Sequence, residues 1–154
     1  TASVCNLQPD SRGAVTIRSP QAEDNPIIKP NYLSSQTDKD IAAKSITLTR
    51  NIFATEAMRK YEPSEFLPGA DHQSPQALAE QAGNISTSIF HPVGTAKMGT
   101  GKDAVVDSEL NVYGVQNLRV VDASIMPKIT SGNTNSPTIM IAEKASDMIL
   151  QNRR

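Results

Sequence analysis

Proline placement restricts the fold of this 154-residue chain more than any other feature. A proline inside a helix removes a hydrogen bond and clashes with the preceding turn, and it pushes the residue before it towards extended backbone. Pro20, Pro26 and Pro30 therefore hold residues 1–33 in short extended segments. Within them Ala14-Val15-Thr16-Ile17-Arg18 alternates apolar with polar after the turn signal Ser11-Arg12-Gly13, which predicts a strand. Asp24-Asn25-Pro26 predicts the next turn, and Ile27-Ile28 leads on to Pro30.

A helical period takes over across residues 38–60. Ile41, Leu48, Ile52 and Ala42, Ile46, Phe53 recur at spacings of four and seven and form one apolar stripe. Thr37 is the expected N-cap, with Asp38 and Asp40 in the first turn. Pro63, Pro68 and Gly69 make residues 61–73 a loop. A second helix is predicted from Pro75 to Gln81, capped by Ser74 and stopped by Gly83. Ile85 to Phe90 reads as a short strand before His91. Residues 94–117 read mostly as loop, and Leu118 to Asp122 as a strand ending on an acidic residue. A polar loop, Thr130 to Asn135, precedes a final helix from Pro137 to Gln151. Ser136 is its expected cap, and Arg153 and Arg154 suit its C-terminal end.

Composition narrows the function classes. A net charge of -1 offers no basic surface for nucleic acid or anionic lipid, and 4% aromatics with no Trp make base-stacking platforms a poor fit. Two histidines and one cysteine provide no metal-ligand spacing, so no metal is expected. Cys5 has no internal partner, which suits a reducing compartment; a cytoplasmic location is expected, with peripheral membrane association left open. The apolar run Thr138 to Ala142 is too short to span a bilayer.

Few residues carry chemistry. His72 lies in the polar stretch Ala-Asp-His-Gln-Ser and reads as exposed. His91 follows an apolar segment and opens His91-Pro92-Val93-Gly94-Thr95, a loop position suited to presenting a catalytic group. Gly99-Thr100-Gly101-Lys102-Asp103-Ala104 fits a loose dinucleotide pattern without the strand and helix that should flank it, so it reads as a plain loop. Asp122 either caps a turn or meets a ligand at a strand end, and the start of the last helix could face an anion.

Longer motifs carry a resemblance. His91-Pro92-Val93-Gly94-Thr95-Ala96-Lys97-Met98-Gly99 resembles the H-P-x-G-T-x-x-M-G segment of glucose-methanol-choline (GMC) oxidoreductases. Val106-Asp107, Leu110 to Val115, Leu118 to Pro127 and Gly132-Asn133-Thr134-Asn135-Ser136-Pro137-Thr138 continue it in order, and Pro9 to Gly13 and Pro30 to Leu33 resemble its opening. Position 96, often Cys in that family, is Ala here, and the family's Gly-rich FAD fingerprint is absent. The chain, which opens on Thr1, is accordingly expected to be the C-terminal part of a longer FAD-dependent alcohol oxidoreductase.

The resemblance implies a mixed α+β and α/β architecture. Residues 1–90 would belong to the substrate-binding domain, an antiparallel sheet backed by helices. Residues 91–154 would supply the last strand and helix of an FAD-binding, Rossmann-like domain. It also implies the roles. His91 would be the general base on a small alcohol, Asn133 would orient the alcohol oxygen, and the α-hydrogen would leave as hydride to the flavin. Asp122 and Ala123 would meet the ribityl or diphosphate portion of FAD, and Asn135, Ser136, Pro137 and Thr138 the flavin pyrimidine edge. Asn at 133 resembles choline-oxidising and related bacterial members, whereas fungal sugar and aryl-alcohol oxidases more often carry His there. A choline substrate would need an aromatic or acidic cage, for which Tyr32, Tyr61, Phe66, Glu62 and Glu65 are candidates. A hydroxynitrile lyase on the same scaffold, or a silent binding module, are the competing readings.

Overall fold

The computed structural model describes residues 1–151, which divide into two compact units, Thr1–Thr87 and Ser88 onwards. Among these residues no helix is long and apolar enough to cross a membrane.

The first unit is α+β. Strands β1 (Ala14–Thr16) and β2 (Ile27–Lys29) form an antiparallel hairpin in the register Ala14↔Lys29, Val15↔Ile28, Thr16↔Ile27. Helix α1 (Gln36–Phe53) packs on α3 (Pro75–Ile85), with the short α2 (Glu56–Arg59) between them in sequence. The core is small: Ala43 of α1 and Leu78 and Ala82 of α3 are the buried apolar residues of this unit.

Several boundaries differ from expectation. Ser35, not Thr37, caps α1, its hydroxyl accepting the Asp38 N–H at 3.1 Å. The predicted helix over 38–60 is two helices, because Thr55 opens a new turn after Phe53. Of the predicted apolar stripe, Leu48 and Ile52 stay 60% and 53% exposed, so periodicity found the helix but not the face it buries. Gly83 does not stop α3, which runs on to Ile85. Ser74 and Pro75 hold their predicted places, the Ser74 hydroxyl accepting the Ala77 N–H at 3.1 Å. No strand forms over Ile85–Phe90.

Asp38 is the polar hub of this unit. Although buried, its carboxylate accepts from Asn6 Nδ2 and the Asp10 N–H, both at 3.0 Å, and from the Ser11 N–H at 2.8 Å. The Ser11 hydroxyl oxygen in turn accepts the N–H groups of Ser34 and Ser35. Burial works to raise the Asp38 carboxyl, but the hydrogen bonds from Ser11, Asp10 and Ser35 together outweigh it and hold the group below its ordinary value. A depressed carboxyl contributes stability that is full above the ordinary carboxylate range and is lost as the pH falls through it. Asp38→Ala should therefore cost about 2 kcal/mol, since it takes the acceptor from part-buried donors of Asn6, Asp10 and Ser11 at once. Asp38→Asn should flatten the acid side of the stability profile. Thermal unfolding across pH 3–7 checks both, and an unchanged acid slope in the Asn variant would refute the account.

A second clamp holds the loop after α2. Arg50 bonds both carboxylate oxygens of Glu65, at 2.9 and 2.7 Å, and reaches the carbonyl oxygens of Gly69 and His72. This planar, forked arrangement is one that lysine cannot reproduce.

The second unit has one long helix and little other regular structure. A 3-10 turn (Ala123–Ile125) precedes α4 (Asn135–Gln151). The helix begins two residues before the predicted start, so Ser136 lies inside it and Pro137 is its third residue. Arg153 and Arg154 lie outside the described residues. The predicted strand over Leu118–Asp122 does not form; the segment makes single backbone bonds instead, among them Val112 N–H to Leu118 O at 2.9 Å. Val106, at 0% exposure, centres a cluster with Leu110, Ile125, Met126, Ile141 and Ala145 that holds the 3-10 turn against α4.

Candidate active site

The residue before His91 sets its direction. Phe90 takes a left-handed backbone (φ 64°) and is 82% exposed, so the chain turns sharply there without burying the ring. Such a conformation is costly for a residue with a Cβ and marks a local constraint.

Gly94 explains the glycine of the segment. Its φ is +87°, and an added Cβ would lie 3.3 Å from the Met126 carbonyl oxygen. Only glycine takes that backbone cheaply. Close approach lets the segment bond the 3-10 turn, with Ala96 N–H to Ser124 O at 3.1 Å and Met98 N–H to Ile125 O at 2.8 Å. The His91 loop and residues 122–126 are thus laced together through their backbones.

His91 itself is half-buried, and its Nδ1 lies 2.9 Å from the Thr134 hydroxyl oxygen. Thr134 is buried, at 9% exposure, and directly precedes α4. Its carbonyl oxygen accepts the Thr138 N–H at 3.0 Å and the Thr138 hydroxyl at 2.6 Å. Asn133 and Asn135 flank Thr134 and are exposed. The expected partner position, Asn133, therefore sits beside the residue that His91 bonds. Thr134 itself was missed. The signal for it was a threonine at the helix start, where hydroxyl residues are favoured, but Ser136 drew the assignment two residues too late.

The other expected site residues fall as follows. The exposed Asp122 caps the 3-10 turn, accepting the Ser124 N–H at 2.7 Å, and Ala123 begins that turn. Asn135 and Ser136 are exposed in the first turn of α4, where N–H groups have no partner within the helix. Pro137 brings no N–H, and the Thr138 hydroxyl points its hydrogen back at Thr134. His72 is half-buried rather than exposed. The segment 99–104 is a turn, closed by Ala104 N–H to Gly101 O and by an ion pair between Lys97 and Asp103. Hollows on the first unit, at residues 17–26 and beside Lys44 and Leu78, include neither His91 nor Asn133.

Known proteins resemble this chain in sequence and fold. The family model for GMC oxidoreductase matches residues 9–142. An alcohol dehydrogenase (acceptor) of Pseudomonas putida is 42% identical over 151 residues, which is 98% of this chain and 27% of that protein. The mitochondrial choline dehydrogenase of Homo sapiens is 48% identical over 141 residues, 90% of this chain and 24% of that protein. Among solved structures, an FAD-dependent oxidoreductase from Chaetomium thermophilum matches with a TM-score of 0.89 at 34% identity, over 96% of this chain and 26% of that one. Pyridoxine 4-oxidase from Mesorbium loti matches with a TM-score of 0.85 at 34% identity, over 92% of this chain and 28% of that one. The chain spans about a quarter of the length of the curated relatives it matches.

Proposed function

The chain belongs to the GMC oxidoreductase family, and from that premise we propose that it is the C-terminal part of an FAD-dependent enzyme that oxidises a primary alcohol to an aldehyde. The observation that carries the reading is the 2.9 Å contact between His91 and Thr134, which joins the His91 loop to the start of α4 beside Asn133. In this reading residues 1–90 serve the substrate-binding domain. Residues 91–154 complete the FAD-binding domain, with Leu118–Asp122 as its last extended segment.

The groups exposed near this junction suit a flavin. Asn135 and Ser136 offer side-chain donors and the partnerless N–H groups of a helix start, a favourable setting for a carbonyl or a developing negative charge. Asp122 and Ala123, at the 3-10 turn, would meet the ribityl or diphosphate portion. Bound FAD would supply the acceptor for the hydride that leaves the alcohol carbon. His91 takes the hydroxyl proton, so the alcohol loses one proton and one hydride and becomes the carbonyl product. Histidine suits the task because it changes charge near neutral pH. Asn133 donates a hydrogen bond to the same oxygen and holds the reacting carbon in line.

Asparagine at 133 and the choline and alcohol dehydrogenases among the relatives make a choline-like alcohol the first substrate to try. The test is anaerobic bleaching of the flavin on adding that alcohol. Asn133→Ala should slow bleaching by about tenfold to a few hundredfold, the scale of one oxyanion hydrogen bond. Asn135→Ala should instead alter flavin affinity or potential. If Asn135→Ala slows reduction at an unaltered potential while Asn133→Ala shifts only the potential, the two roles are reversed.

A further inference from the structure

A neutral imidazole carries one proton on two nitrogens, and only the bare one can act as a base. The contact of Nδ1 with Thr134 Oγ1 at 2.9 Å leaves Nε2 as the nitrogen able to meet a substrate. What Nε2 can do then depends on the direction of the Thr134 bond. If Nδ1–H donates to Oγ1, Nε2 is bare. If the Thr134 hydroxyl donates to Nδ1, Nε2 carries the proton.

The oxygen is held firmly in either case. Thr134 is buried, a β-branched side chain has little χ1 freedom, and its carbonyl is fixed by both the N–H and the hydroxyl of Thr138. The first turn of α4 therefore acts as a rigid mount for one hydroxyl oxygen. Once a proton reaches Nε2 the ring becomes a cation, Nδ1 must be a donor, and a bond already running from Nδ1–H to Oγ1 strengthens without rearranging. The opposite bond would have to turn round during the reaction.

We propose that Thr134 is a positioning residue whose hydroxyl oxygen accepts the Nδ1–H of His91, holding the ring in the tautomer with Nε2 bare. The proposal rests on the reading of His91 as the general base, and the experiment separates the two. In the holoenzyme with histidine selectively labelled with nitrogen-15, the His91 signals are those lost in His91→Asn. Nδ1 should carry the proton in the wild type and in Thr134→Ser, and should lose that preference in Thr134→Val. With flavin content matched, Thr134→Val should slow flavin reduction about tenfold to a hundredfold, the scale of a hydrogen bond to a charged group. Thr134→Ser should restore most of the rate. Valine keeps the branched shape and the carbonyl that starts α4, so a merely structural role would leave the tautomer and the rate near wild type.

An unprotonated Nδ1 in the wild type overturns the proposal, and this measurement needs no variant at position 134. So does a wild-type rate in Thr134→Val, or a serine variant no better than valine. If His91→Asn crippled reduction while Thr134→Val did not, only the role of Thr134 would fall. If His91→Asn left reduction intact, the general-base reading and this proposal would fall together.

Discussion

His91→Ala in the holoenzyme is expected to slow flavin reduction by about 10²–10⁴-fold, the usual contribution of a positioned general base. FAD should remain bound, because the groups proposed to meet it, at Asp122–Ala123 and Asn135–Ser136, are held by bonds that do not use the imidazole. Asp122 is tied to the Ser124 N–H, and α4 starts from the Thr134 carbonyl. Removing the ring strands only the Thr134 hydroxyl, a modest loss of stability of roughly 1–3 kcal/mol. Anaerobic stopped-flow reduction, with the flavin spectrum recorded beforehand, separates the two effects. A rate within about threefold of wild type, far below the usual contribution of a general base, would remove His91 from the mechanism. Loss of flavin would mean that the loop supports the cofactor site instead.

Gly13→Ala is expected to be the most damaging single-methyl change in the first unit. A Cβ at residue 13 would lie 2.3 Å from the Lys29 carbonyl oxygen and 2.5 Å from that of Pro30. Those atoms belong to backbone at the end of β2, so relief requires the hairpin to open. Residue 13 also lies two positions after Ser11, one of the partners of Asp38, and a shift there pulls on the hub that fastens the N-terminal stretch to α1. The cost should exceed the roughly 1–3 kcal/mol of ordinary overpacking. Gly83→Ala is the control. Inside α3 its Cβ would meet only Leu33 Cδ1 at 3.7 Å, an ordinary contact, and the helix should gain about 0.5–1 kcal/mol. Unfolding midpoints that moved in the same direction in both variants would refute this steric account.

Local chemistry made much of the first unit legible. Ser74-Pro75 announced α3 because a capping hydroxyl and a proline without an N–H satisfy a helix start independently of anything distant. The start of α1 fell at Ser35 rather than at the expected Thr37, because the distant Ser11 bonds the N–H groups of Ser34 and Ser35 and fixes the chain there. Gly83 misled because a helix can carry a glycine when both its ends are secured. The strands expected at 85–90 and 118–122 failed for another reason. A strand-like run of residues says that a segment can sit on a sheet, but not that another segment will lie beside it. In the candidate site, long motifs drew attention to His91 and Asn133, whose roles are proposed here. Thr134 was not, because its importance comes from a ring 43 residues earlier in the chain.

The backbone lacing of the second unit bears on how it opens. Val106 bridges both Met98 and Val112, Asn111 bridges Arg119, and Ala96 and Met98 bond the carbonyl oxygens of Ser124 and Ile125. No pair of these segments forms a ladder that could separate like a zipper, and the segments around Met98, Val106 and Val112 are each fastened to two others at isolated points. Breaking one point exposes little and leaves its neighbours in place, so partial opening brings little gain in entropy until many points fail together. Amide protons from Met98, Val106 and Val112 should then exchange with solvent in one concerted event, as a single foldon rather than as separate flaps. The His91 loop, sewn into the same fabric through Ala96 and Met98, inherits that all-or-none persistence without any regular strand beneath it.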